Sequence, residues 1–270
     1  MISILKKACS ICFAIVSVVY TVIPESFLKL FKLSKNDNYD TLLNHLLIFI
    51  LIFLIVIIVY SIYLNIRKKI YIKGKNYTIC IKYGDILKEK NCKKIITFDE
   101  CYTKKVGNLP SDVNPDSICG QYLKKNPSIN IKKLIKDSDL KPCNKKSKFK
   151  SKDCYTSGKL IQNDDFLLMA FAKLDENGLG YFPSVKDFTD CLSILWKEID
   201  KYYGQKNVCI PILGSGITRI GDSELTKQEL LDIIICTYKL SRNKIKNPYK
   251  LYIICKKSED FSLNNIGKNI

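Results

Sequence analysis

Apolar residues fall along this chain in three rhythms, and each predicts a different kind of element. The first is unbroken. From Leu46 to Ile66 only Ser61 and Asn65 are clearly polar, and a run that is apolar all round has no face to offer water. As a helix it spans about 30 Å, the thickness of a bilayer's hydrocarbon core. We expect a transmembrane helix there. A shorter run, Ala8 to Ile23, follows Lys6 and Lys7 and closes at Pro24-Glu25. Its basic start fits a signal peptide, but the bulky Val19-Tyr20-Thr21-Val22-Ile23 offers no small-residue cleavage site. A second span is therefore expected, and the two runs form a hairpin joined by residues 24–41.

The second rhythm is the short apolar run bounded by turn residues, which predicts strands. It occurs at Tyr77 to Tyr83, Lys94 to Phe98, Phe166 to Ala172, Val208 to Leu213 and Leu251 to Cys255. The third is helical. Phe188, Cys191, Leu192, Leu195, Ile199 and Tyr202 follow a cap at Ser184-Val185-Lys186-Asp187 and stop before Gly204, with Trp196 expected in the core. Thr226-Lys227-Gln228-Glu229 has the capping-box form and opens a helix running from about Glu229 to Leu240. Strands and helices alternate in this half, so we expect an α/β domain with a largely parallel central sheet. Such sheets bind ligands beyond the carboxyl ends of their strands. Both Gly84-Asp85-Ile86 and the loop after Leu213 would lie there.

Charge sets the orientation of the hairpin. Arg67, Lys68, Lys69, Lys73 and Lys75 crowd the exit of the second run, and Lys6 and Lys7 flank the first. The connecting loop has the thinner Lys29, Lys32 and Lys35. By the positive-inside rule both chain ends are cytoplasmic, so we expect a membrane segment 1–69 that crosses twice, followed by residues 70–270 as a cytosolic domain. The net charge of +18 favours anionic partners, although an Ile/Lys/Asn-heavy composition accounts for most of the lysine. The lysine-rich stretch at about 124–159 reads as an insertion or long surface loop. It lacks arginine, and only Phe149 and Tyr155 could stack on bases, so nucleic acid is not expected. The 12 cysteines are scattered and many fall within apolar runs, as buried thiols of a reducing compartment do. With His45 the sole histidine, no metal site is expected. Asp99-Glu100 could be catalytic; a strand-end turn with solvated carboxylates is the commoner arrangement.

The candidate chemistry sits in Cys209-Ile210-Pro211-Ile212-Leu213-Gly214-Ser215-Gly216-Ile217-Thr218-Arg219-Ile220-Gly221. Its glycines let the backbone turn sharply, and consecutive exposed N–H groups can hold phosphate oxygens. A tight turn that binds nothing is the competing reading.

Together with Gly84-Asp85-Ile86, this loop resembles a macro domain, an ADP-ribose-binding module. In macro domains a Gly-Asp-Ile turn after an early strand supplies an aspartate that accepts from the adenine amino group. Here the match is Asp85, with Ile86 beside it. A late glycine-rich loop wraps the diphosphate, which matches Gly214, Ser215, Gly216, Ile217, Thr218, Arg219 and Gly221. Ser117 and Gly120, in the small-residue stretch ending at Gln121, match a further phosphate-side loop. The resemblance thus implies an α/β macro-like domain, with a mixed central sheet flanked by helices, behind a two-helix transmembrane hairpin at about 8–23 and 46–66. Hydrolytic macro domains place an Asn-Ala-Ala-Asn-like stretch after the second strand. This chain has Thr97-Phe98-Asp99-Glu100 instead, which implies binding without catalysis and no catalytic residue.

The whole architecture is similar to the macro-domain membrane effectors of Thoeris antiphage defence. That resemblance implies an ADP-ribose-derived signal, of the histidine-ADP-ribose class, made by a TIR-domain protein, and no other cofactor. It also implies self-association, membrane lipids as the target, and abortive infection. A membrane-tethered ADP-ribosyl hydrolase using Asp99 or Glu100, or an anchored reader of ADP-ribosylated proteins, are the alternatives.

Overall fold

The computed structural model describes residues 2–28, 31–32, 34–222, 224–258 and 261–266. Lys29, counted above in the connecting loop, lies outside them. The chain divides into two compact units, Met1–Arg67 and Lys68–Ile270.

The first unit contains α1 (Ile2–Val22), the single turn α2 (Glu25–Leu28) and α3 (Asp37–Ile66). Helix α3 starts well before the apolar run, because its first turns recruit polar side chains to close the connecting loop. Asn36 caps it, accepting from the Asn38 N–H at 3.0 Å. Asp40 accepts from the Ser34 N–H at 2.8 Å. The buried amide of Asn44 holds both the N–H and the carbonyl of Phe31, at 3.0 and 2.8 Å. Helix α1 pairs with α3 through the Tyr20 hydroxyl, which donates to the His45 carbonyl at 2.6 Å, and through Phe13 against Phe49. Among the described residues α3 alone is long and apolar enough to cross a membrane; Ala8–Val22 is a shorter apolar stretch.

The second unit is built on one nine-stranded sheet in the order β1-β2-β9-β7-β3-β5-β6-β8, with β4 also paired to β5. Its centre is β2 (Thr78–Tyr83), β9 (Leu251–Cys255), β7 (Asn207–Pro211), β3 (Cys92–Asp99) and β5 (Phe166–Leu174), all parallel. These strands read as near-continuous apolar runs because helices cover most of both faces. The edges are antiparallel: β1 (Lys69–Lys73) on β2, and β4 (Leu160–Asn163) and β6 (Gly180–Phe182) on β5. Two-residue β8 (Arg219–Ile220) then pairs parallel to β6. The expectation of a largely parallel sheet holds for the centre only. On one face α6 (Val185–Tyr202) and α7 (Lys227–Leu240) cover Ile79, Ile210 and Ile253. On the other, α4 (Ile118–Lys125) and α5 (Ile131–Asp137) cover Ile96, Phe98 and Leu168.

Two sequence expectations are corrected here. The stretch 124–159 is not simply surface loop: it contains α5 and buries Ile129, Ile131, Phe149 and Cys154. Nor are the carboxylates after β3 solvated. Glu100 is buried, accepting from the Ser147 hydroxyl at 2.5 Å and the Leu174 N–H at 3.1 Å. Asp99 accepts from the Cys101 and Thr103 N–H groups at 2.8 and 3.2 Å. A turn leaving a buried strand has backbone donors to satisfy; Asp99 does so, while Glu100 ties the turn to Ser147 and to the end of β5.

Both caps form as the sequence predicts. Ser184 accepts from the Asp187 N–H, and Thr226 and Glu229 exchange bonds as a capping box. Trp196 packs edge-on against Tyr238 of α7, with 5.0 Å between centroids, and donates to the Thr237 hydroxyl at 3.3 Å. Trp196→Ala should cost about 3–5 kcal/mol, read as a shifted urea midpoint of unfolding. Glu198 is buried between Lys159 at 3.0 Å and Lys201 at 2.7 Å. Burial alone would raise its carboxyl, but the hydrogen bonds from Lys201 and Lys159 hold it below the usual 4.5. Its contribution is complete above pH 4.5 and is lost as pH falls through the lowered value. The loss of Tm in Glu198→Gln should therefore be largest at neutral pH and shrink in acid.

Candidate functional site

Strand register brings the two motif loops to the same edge of the sheet. Tyr83 of β2 stands opposite Cys255 of β9, and Ile254 opposite Pro211 of β7. The chains leaving β2 and β7 therefore emerge side by side across β9, about 10 Å apart at the usual strand spacing.

After the Gly84 N–H makes a last rung to the Cys255 carbonyl at 3.1 Å, the chain turns out of the sheet. Asp85 is exposed, and its Oδ1 accepts from the Leu87 N–H at 2.9 Å, starting a 3₁₀ turn, Ile86–Lys88. A cavity of about 170 Å³ opens here, between Gly84–Leu87, Ile118 and Gln121 of α4, and Ile254 and Lys256 at the end of β9. That is smaller than the roughly 300–1,000 Å³ of a site for a whole drug-sized ligand. It suits one ring system. Ile86, Ile118 and Ile254 supply apolar contact, and the carboxylate of Asp85 is an acceptor for an exocyclic amine.

After β7, buried Ile212 and Leu213 anchor the second loop. Gly214 has φ +82, and a Cβ there would stand 2.9 Å from Ile220 Cδ1. Only glycine is unstrained in that conformation. The N–H and hydroxyl of Ser215 both donate back to the Ile212 carbonyl, at 3.3 and 2.7 Å. Among the described residues the N–H groups of Gly216, Ile217 and Thr218 donate to no backbone carbonyl. Gly216 and Ile217 are exposed, and a Cβ on Gly216 would meet nothing within 4 Å. Successive amides without a backbone partner are donors of the kind that can hold phosphate oxygens.

The structure redistributes the remaining predicted site residues. Arg219 lies on β8, where its guanidinium pairs with Asp175 at 2.6 Å. The Gly221 N–H donates to the Phe182 carbonyl at 2.9 Å, so it closes the β6–β8 pairing. Ser117 and Gly120 form no loop: Ser117 caps α4, accepting from the Gly120 N–H at 2.9 Å and donating to the Asn114 carbonyl at 2.7 Å. A Cβ on Gly120 would stand 2.2 Å from that carbonyl, so its glycine serves close packing. The same helix sends Ile118 and Gln121, three residues apart and hence on one face, to the cavity.

Sequence reasoning missed Leu87, Ile118, Gln121, Ile254 and Lys256 as cavity residues. The i,i+3 spacing on α4 was the one available signal. Near the β3 exit, burial pushes the Asp99 carboxyl up from its ordinary value, while the Thr103 and Cys101 N–H groups pull it down. Among the described residues no group of three His, Cys, Asp or Glu side chains could hold a metal ion.

Residues 79–256 match the family model described as Thoeris protein ThsA, Macro domain. The chain is 31% identical over 193 residues to the Thoeris protein ThsA of Bacillus amyloliquefaciens (strain Y2), covering 68% of this chain and 64% of that protein. It thus spans under two thirds of that relative's length. Among solved structures, a mutant macrodomain of Oceanobacillus iheyensis with ADPR aligns at 11% identity and TM-score 0.44, over 71% of this chain and 92% of that one. The macrodomain of Thermus aquaticus DarG aligns at 11% identity and TM-score 0.39, over 67% and 98%. With the family model spanning every strand from β2 to β9, this chain belongs to the ThsA macro-domain family of Thoeris proteins.

Proposed function

We propose that this protein is an antiphage defence effector whose macro domain binds an ADP-ribose derivative and thereby activates its membrane segment. The observation that carries this reading is the pairing of the Asp85 cavity with the unpaired amides of Gly216 to Thr218 on one sheet edge. The cavity takes the adenine, whose amine donates to Asp85. The amides take the diphosphate without a metal. The chains leading to the two loops leave the sheet about 10 Å apart, within the reach of one adenosine diphosphate, so one ligand can engage both.

Around this site we place the rest of the assignment. Residues 1–69 span a bacterial inner membrane twice, at about 8–23 and 46–66, with the N-terminus and residues 70–270 in the cytoplasm. A TIR-domain protein supplies the signal, of the histidine-ADP-ribose class. Ligand-bound domains self-associate, and the gathered hairpins disrupt the membrane in abortive infection. A ligand drives such a change only through its preference for the assembled state. Asp99 and Glu100 are committed to pinning the β3 exit, which favours sensing over hydrolysis.

Calorimetry of ADP-ribose and its histidine adduct on residues 68–270 tests the site. Asp85→Asn keeps an acceptor for the Leu87 N–H but turns an amide donor toward the adenine amine. Its affinity should fall at least tenfold, the worth of about one charged hydrogen bond. Gly216→Glu fills open space with negative charge and should abolish binding without shifting Tm. Unchanged affinity in both variants, or hydrolysis of the ligand by the parent, would sink the reading. The topology has its own check. Alkaline phosphatase fused after Lys35 should be active outside the inner membrane, and the same enzyme fused after residue 270 inactive.

A further inference from the structure

The macro domain carries its own core: its three apolar clusters are built from residues 70–266, so it folds without the helices. One face of its sheet is nonetheless half open. Along β1, β2 and β9, Ile70, Ile72, Ile79, Ile81, Leu251 and Ile253 point into the core under α6 and α7. The alternate positions face the other way, as a period-two pleat requires. There Lys69 and Lys250 sit over the Tyr71 ring, each 5.7 Å from its centroid, and Lys82 sits 5.1 Å over Tyr252. Lys69, Tyr71 and Lys73 are exposed, while Lys82, Lys250 and Tyr252 are half-buried. β1, β2 and β9 contain no acidic residue. Glu89, 2.8 Å from Lys82, is the carboxylate paired with these lysines among the described residues.

We infer that this lysine–tyrosine face docks on anionic phospholipid headgroups, an inference that rests on reading α3 as membrane-spanning. Only Arg67 and Lys68 separate α3 from β1, and two extended residues reach about 7 Å at most. The start of β1 therefore cannot leave the headgroup layer. Lysines beside a membrane are drawn to its anionic lipids, each adding about fivefold to partitioning. Tyrosine rings sit at headgroup level, apolar body inward and hydroxyl outward. A second copy of the chain would bring the same cations against these, so the charge pattern selects a lipid surface over self-pairing.

The test is co-sedimentation of residues 68–270 with vesicles of phosphatidylcholine alone or with 30 mol% phosphatidylglycerol added. The domain should sediment with the anionic vesicles only and be released by 0.5 M salt. K69E/K73E/K250E should lower the partition coefficient at least tenfold while keeping ADP-ribose affinity and Tm. K124E/K132E/K136E removes as many lysines, all exposed, from α4 and α5 and should lower it far less. Equal losses in the two variants would mean that bulk charge, not this face, does the binding, and would overturn the inference. So would no sedimentation of the parent, or a dimer of the domain that the first variant dissolves. Because residues 68–270 lack α3, failure here removes the docking face alone, whereas the phosphatase fusions decide whether α3 spans.

Discussion

The backbone ladder joining β2, β9 and β7 is the constraint on which the rest of the domain depends. Hydrogen bonds between parallel strands fix register residue by residue, and a slip of one would turn every side chain to the opposite face. With Tyr83 opposite Cys255 and Ile254 opposite Pro211, Ile81, Ile253 and Ile210 share one core. The same register delivers the chains after Tyr83 and Pro211 to one edge. Each motif loop inherits its place from the sheet. The Asp85 turn and the glycine loop can thus form one ligand site although over 100 residues separate them in the chain.

Glycines in this domain divide by task. Gly120 is where α4 passes the Asn114 carbonyl, and a Cβ would stop that approach. Gly214 turns the chain out of β7 with positive φ. Gly216 is required by neither packing nor dihedral, since open space surrounds it. A glycine that the fold does not need is free to serve a ligand, because absence of a side chain lets another molecule approach the backbone. That physical distinction separates the residues of the 212–218 loop that build it from the one that leaves it accessible.

The long elements were legible because their patterns are long. The α6 face repeats its apolar period enough times to be read, the α7 capping box is a local signature, and the five central strands are apolar runs bounded by turn residues. β6 and β8, at 3 and 2 residues, have no period to read, and β1 hides among the lysines that signal the membrane exit. As turns, the Asp85 and Gly214–Thr218 segments were legible because glycine and aspartate in turns have local causes. Ile118, Ile254 and Lys256 were not: they reach the cavity through tertiary packing, which no local spacing encodes. Ser117 and Gly120 misled because a small-residue run suits a loop and a tightly packed helix start alike. Asp99 and Glu100 misled because the donors that they satisfy, on Thr103, Ser147 and Leu174, lie partly far along the chain.

These commitments also locate where a ligand could change the domain. The sheet cannot bend by fractions of its register, and the β3 exit is pinned by two carboxylates. Arg219 is tied to Asp175, and the loop's entry is anchored by Ile212 and Leu213. Among the described residues of this loop, the N–H groups of Gly216 to Thr218 donate to no backbone carbonyl. An anion arriving there adds bonds that the empty loop lacks, so its free energy is spent on ordering those three residues rather than on breaking existing contacts. On the proposed reading, coupling to a larger rearrangement would run through the crest carrying Ile217, an apolar side chain left 71% exposed. Ordering that crest fixes an apolar surface beside the bound ligand. On that reading a neighbouring domain would gain burial there only in the liganded state, the differential interaction that the proposed assembly requires.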